Sequence, residues 1–159
     1  MLNKYKCRCT KTLKITKIME NYKERFPGIR KIGYLDALTL PPELMQAAIA
    51  GANIAVINPI TWIPTNGEAS IAIEDYYSYG TAEQKVTISL YTRAKIPQSQ
   101  KLAFVVVCNS GDNYLVGTAE PGYPVVKCER SSGKPNGSAA VTKVSVTHIA
   151  PVAAIDIIL

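Results

Sequence analysis

The sequence predicts a mainly β fold: an antiparallel β-sandwich or partly open barrel with one short helix over 41–50. Three observations carry this. Apolar or alternating segments a few residues long recur at short intervals, as half-buried strands do. Clusters such as Thr65-Asn66-Gly67 and Asn109-Ser110-Gly111-Asp112 separate them with turn chemistry. Helical signals gather in one place only, and the strand–helix–strand alternation of a parallel sheet is missing.

Residues 4–18 alternate imperfectly, with Tyr5, Cys7, Cys9, Leu13 and Ile15 on one parity and Lys4, Lys6 and Arg8 on the other. They read as a half-buried strand with a cationic face. Residues 19–26 suit a short helical turn stopped by Pro27-Gly28, and 29–37 has strand character. In 41–50, Pro41 and Pro42 stand where a helix start needs no N–H. Glu43 faces the positive end of the dipole, and Leu44, Met45, Ala48 and Ile49 fall at helical spacing. Gly51 is a C-terminal stop.

Strands follow at 53–57, 60–63 and 68–77. In 84–94, Val86, Ile88 and Leu90 point inward against Lys85, Thr87, Ser89 and Tyr91. The continuous apolar run 102–107 predicts a central strand buried on both faces, paired through a tight turn with 114–118. Residues 125–129 and 138–149 form the last expected strands, joined by a projecting tip at 131–137, and Pro151 ends the series.

The chain is 47% hydrophobic and 19% charged, which excludes disorder by composition and allows a real core. No segment reaches the roughly 18 apolar residues of a membrane-spanning helix. The N-terminus lacks the apolar run of a secretory signal, so a soluble domain made in the cytoplasm is expected. Four cysteines are too few for a disulfide framework. Charge is uneven. Residues 1–31 hold ten cations and two anions, whereas the remainder holds eight cations and ten anions. We therefore divide the chain into a basic N-terminal arm, 1–28, and a single β-rich domain, 29–159. Met19 also reads as a start, with the residues before it an upstream extension.

The inventory for chemistry is thin. The one histidine, His148, shares a strand face with Val144 and Val146, which suits a core position better than a catalytic one. The nucleophile elbow Gly-x-Ser-x-Gly does not occur. Cys7-x-Cys9 has a spacer shorter than zinc knuckles use, and could meet Cys108, Cys128 or His148 only through the fold. Ser132-Gly133-Lys134-Pro135 lacks the upstream glycine and the magnesium-binding hydroxyl of a phosphate loop. Glu74 and Asp75 are strand neighbours and point to opposite faces, so they cannot form an acid–base pair. No catalytic residue, metal site or cofactor is expected.

Two surfaces remain. Lys4, Lys6, Arg8, Lys11, Lys14 and Lys17 form a run of cations without an intervening acid, suited to nucleic acid or another polyanion, or simply to water. Tyr76, Tyr77 and Tyr79 gather at a strand end before Gly80 and, with Lys134 and Asn136 in the 131–137 tip, make the candidate oligomer interface. The tyrosines and Trp62 also fit a module that stacks on sugar rings.

The segments GIRKIGYLDALTLPPELM, NYLVGTAEPGYPVV and SSGKPNGSAAVTKVSV stand in order between Gly28 and Val146. Across 29–149 the chain resembles a group of small uncharacterised virion structural or assembly proteins of gut-bacterial phages and prophages. The resemblance implies a non-catalytic subunit of the tail, neck or connector. It implies a homo-oligomer whose partners are itself and other virion proteins, located in the bacterial cytoplasm during assembly and then in the virion, with no membrane role. The alternative is a nucleic-acid or polyanion-binding module that uses the basic arm.

If the arm meets phosphates, binding is electrostatic and indifferent to sequence, because no recognition motif accompanies the cations. The log–log salt slope on duplex DNA should then approach about −0.9 per contact. Changing Lys6, Arg8, Lys11 and Lys14 to Ser should flatten it by roughly three to four units. Tight binding that survives high salt contradicts this.

Overall fold

The computed structural model describes residues 28–98, 101–137 and 140–159. The arm cations Lys4, Lys6, Arg8, Lys11, Lys14 and Lys17, together with Cys7 and Cys9, lie outside the described residues. Among the described residues there are ten strands in two sheets. The first sheet has six strands: β1 (Ile29–Asp36), β2 (Ile54–Ala55), β3 (Thr61–Trp62), β6 (Leu102–Cys108), β7 (Asn113–Val116) and β10 (Ala154–Ile158). Their order is β2-β10-β7-β6-β1-β3. The second has four, in the order β4-β5-β9-β8: β4 (Ser70–Ser78), β5 (Thr81–Thr92), β8 (Val125–Arg130) and β9 (Thr142–Ala150). Every pairing is antiparallel except β10 with β2. The sheets share no ladder, so the fold is a sandwich and not a barrel.

β6 is central, paired with β1 on one side and β7 on the other. Its side chains alternate into two cores. Leu102, Phe104 and Val106 meet Ile32 and Val116 of their own sheet and Val86, Ile88, Leu90, Val144 and Val146 of the other. Ala103 and Val105 face the opposite way, toward Leu35, Leu115, Ile155 and Ile157. That second face is roofed by Leu40 and Leu44. The apolar run thus reads as it should for a strand covered on both sides.

The roof is where the structure corrects the expected helix. Helix α1 spans only Leu44–Ile49, six residues or about 9 Å, not 41–50. Glu43 occupies the N-cap without a side-chain bond, so nothing draws the first turn back to Pro41. The C-terminal stop is as expected. Gly51 adopts φ 72°, its N–H reaches the Ala48 carbonyl at 3.1 Å, and the Ala52 N–H reaches Ala47 at 3.0 Å. That is a Schellman closure. Before the helix, a 3₁₀ turn at Ala37–Thr39 is capped by Asp36, whose carboxylate accepts from the Leu38 N–H at 3.0 Å.

β2 and β3 are shorter than 53–57 and 60–63 suggest. β3 is held close to β1 at Gly33, where a Cβ would come within 2.9 Å of the Thr61 carbonyl oxygen. β5 begins at Thr81, three residues before the expected start at Gln84, and β10 follows Pro151 where no strand is expected.

Val105 is fully buried in the middle of β6. Val105→Asp should cost about 4 kcal/mol or more and leave the chain unfolded or insoluble, because the carboxylate has no partner on that face. Circular dichroism and a melting curve check this; an unchanged melting temperature refutes the central placement.

Candidate functional site

The tyrosines sit on the hairpin of β4 and β5. The two strands pair from Ser70↔Ser89 to Ser78↔Thr81 and are joined by Tyr79-Gly80 alone. Both turn residues have positive φ, 50° for Tyr79 and 77° for Gly80. Two-residue hairpins of this primed type favour Asn-Gly, since the left-handed region suits Asn and Gly and crowds a bulky side chain. Tyr79 is the one non-glycine residue with positive φ among the described residues. Its side chain is fully exposed.

The cross-strand register sets which way each residue faces. Ile71 and Ile73 lie opposite Ile88 and Val86, so they turn toward the other sheet with Asp75 and Tyr77. Glu74, Tyr76 and Ser78 take the outer face. Tyr76 and Tyr77 therefore look in opposite directions, and the hairpin presents aromatic surface on both sides. The buried row of β5 ends at Val86; the next inward position is Gln84, and the sandwich stops there. Beyond it the tip projects, with Tyr77 77% exposed.

Polar side chains hold the tip in shape. The Tyr76 hydroxyl donates to Glu83 at 2.9 Å across the strands. The Glu83 carboxylate keeps the Tyr76 phenol above its ordinary range, because ionising it would lose that bond. Gln84 donates to Asp75 at 2.8 Å and accepts from the Ala154 N–H at 2.8 Å, tying the hairpin to the first sheet.

Lys134 and Asn136 are exposed in the 131–137 connection between β8 and β9, as expected of a projecting tip. A turn closes from the Gly137 N–H to the Lys134 carbonyl at 3.2 Å. The structure does not bring them to the tyrosines. This tip follows the row Thr92–Thr142–Arg130, whereas the tyrosine hairpin extends past the row Gln84–Ala150. Those rows are the two ends of β9, about 27 Å apart at about 3.4 Å per residue.

The Lys134 end carries a feature that sequence spacing hides. Arg93, Lys95 and Arg130 line a cavity of about 210 Å³ whose other walls include Ile96, Cys128 and Val144. Thr92 fixes the start of this loop: its hydroxyl donates to the Pro64 carbonyl at 2.7 Å and accepts from the Ala94 N–H at 3.0 Å. These cations are spread along the sequence, and only the register of β5, β9 and β8 gathers them.

His148 is buried in β9, its Nε2 has no hydrogen-bond partner, and burial holds its pKa below the usual value. Burial also pushes the Cys108 thiol up, with Asp112 adding to the effect. The ring of Trp62 is covered by the Lys31 ammonium at 4.3 Å from its centroid, which takes one stacking face. Among the described residues, no three His, Cys, Asp or Glu side chains are placed to hold a metal ion. No family model, curated protein or solved structure matches the chain.

Tyr79→Asn should relieve the turn and raise the unfolding free energy by about 1 kcal/mol. The midpoint of a denaturant titration measures this; no gain would show that the turn is unstrained.

Proposed function

We propose that the chain is a structural or assembly subunit of a bacterial virus, in the tail, neck or connector, working through protein–protein contacts and not by catalysis. The observation that supports this most is the β4–β5 tip, which carries Tyr76, Tyr77 and Tyr79 beyond the core with Tyr77 and Tyr79 largely or fully exposed. Tyrosine gives large contact area at small cost in side-chain entropy, and is enriched where proteins meet. Keeping an aromatic residue at Tyr79, where Asn would strain the backbone less, fits a site selected for contact over stability.

The other sheet edges support the same choice. β2 and β3 are two residues long, and β8 is studded with Lys127, Glu129 and Arg130. Short or charged edges are the usual defences against stray pairing. β4, nine residues long and exposed over most of its length, is the edge left for a partner. The virion setting, and with it the cytoplasm as the place of assembly, rests on the sequence resemblance over 29–149.

Replacing Tyr76, Tyr77 and Tyr79 together with Ser should leave circular dichroism unchanged and keep the chain out of the assembled particle. Normal incorporation of the triple variant would count against the proposal.

A further inference from the structure

Resting on that role for the hairpin, we infer that its tip docks into the basic mouth of a second copy, so that copies join head to tail. The mouth is built for an acidic visitor. Arg93, Lys95 and Arg130 line it, with Gln98 and Thr142 beside them and, among the described residues, no Asp or Glu in its walls. Among the described residues the one ion pair is Lys127–Glu129, so none of the three cations has a carboxylate partner there. Like charges around one cavity raise each other's cost, which an incoming anion relieves.

The tip supplies both halves of the match. Glu74, Asp75 and Glu83 stand against Lys85 as its single cation, and two of the acids are held by neutral groups, Tyr76 on Glu83 and Gln84 on Asp75. Their negative charge therefore stays available. Arginine pairs with carboxylates through two parallel hydrogen bonds and stacks on tyrosine rings. The apolar floor of Ile96, Cys128 and Val144 suits an aromatic ring. Tyr77 and Tyr79, the two most exposed, offer on the order of 300–500 Å² of contact area. That is about half of the roughly 800 Å² that each partner gives to a standard interface, and the charged rim supplies the rest.

Tip and mouth lie at opposite ends of the same sheet, about 27 Å apart along β9, so a chain cannot fill its own mouth. The contact is heterologous: each copy gives a tip to one neighbour and a mouth to another, the arrangement that builds rings and tubes.

Two charge-altered chains test this by sedimentation. Arg93→Glu with Arg130→Glu spoils the mouth and keeps the tip. Glu74→Lys with Glu83→Gln spoils the charge of the tip, leaves the Tyr76 hydroxyl an acceptor at 83 and keeps the mouth. Glu74, Arg93 and Arg130 are exposed and Glu83 is half-buried, and circular dichroism should show both variants folded. Each alone should self-associate at least tenfold more weakly than the unaltered chain. Mixed in equal amounts, they should form a dimer that grows no further, because one good tip then meets one good mouth.

A mixture that stays monomeric, or either variant associating as the unaltered chain does, overturns the inference. So does an unaltered chain that remains monomeric at its highest soluble concentration. If the charge variants associate normally while the tyrosine-to-serine chain does not, the role of the hairpin stands and only this pairing falls. If the tyrosine-to-serine chain also associates normally, both fall.

Discussion

Everything in this fold follows from covering β6 on both faces. Leu102 to Val106 are buried without interruption, so no side of the strand is left to face water. Each large apolar side chain buried there contributes about 1.5–3 kcal/mol, and half of that would be lost if either cover were missing. One cover is the second sheet, through Ile88, Leu90, Val144 and Val146. The other is the segment that runs from Leu40 through α1 to β2 and contributes Leu40, Leu44 and Ile54. This explains why so short a helix persists. α1 is too short to be stable alone, and it is held by burying Leu44 rather than by its own propensity or capping.

The four-stranded sheet obeys a looser rule, and that freedom creates the site. Only one of its faces meets the core, so its strands alternate buried and solvated residues. Where the inward row changes from Val86 to Gln84, the hydrophobic reason for the sheet ends. The ladder nonetheless runs on to Ser78↔Thr81. Past the core, the hairpin is sustained by cross-strand pairs such as Tyr76–Glu83 and Asp75–Gln84, contacts worth roughly 0.2–1 kcal/mol each. The projection is thus held by polar pairs across the strands and not by burial.

The parts of the fold that were legible in the sequence are those where one short-range pattern decides the outcome. The apolar run at β6, the alternation in β5 and β9, the inward His148 and the Gly51 stop all depend on residues near each other in the chain. β10 was not legible, because its residues earn their place by pairing with Tyr114, Leu115 and Val116, far back in the sequence. The first turns of β5 were hidden by Tyr79-Gly80, since an aromatic residue is an unusual opening for a primed turn. The tyrosines could be seen, and alternation along the strand sets Tyr76 and Tyr77 on opposite faces, but not that Lys134 and Asn136 stand at the far end of the sheet. The basic mouth had no local signal at all, because Arg93 and Arg130 become neighbours only when Thr92, Thr142 and Arg130 fall into one row.

The placement of Glu74 and Asp75 resolves a tension in this design. A nine-residue open edge such as β4 invites a second β4 to pair with it. If two copies paired over their full length about a two-fold axis, Glu74 would lie opposite its own counterpart, with Asp75 beside it. Like charges set directly across an antiparallel pair oppose that pairing. The same carboxylates leave the end of the hairpin attractive to cations, and Arg93, Lys95 and Arg130, which have no ion-pair partner among the described residues, lie at the other pole of the sheet. A surface that repels itself but complements its opposite end disfavours closed two-fold dimers and favours directional addition. If the proposed head-to-tail contact forms, the carboxylates that guard the β4 edge against pairing with itself are also the ones that meet the mouth of the next copy.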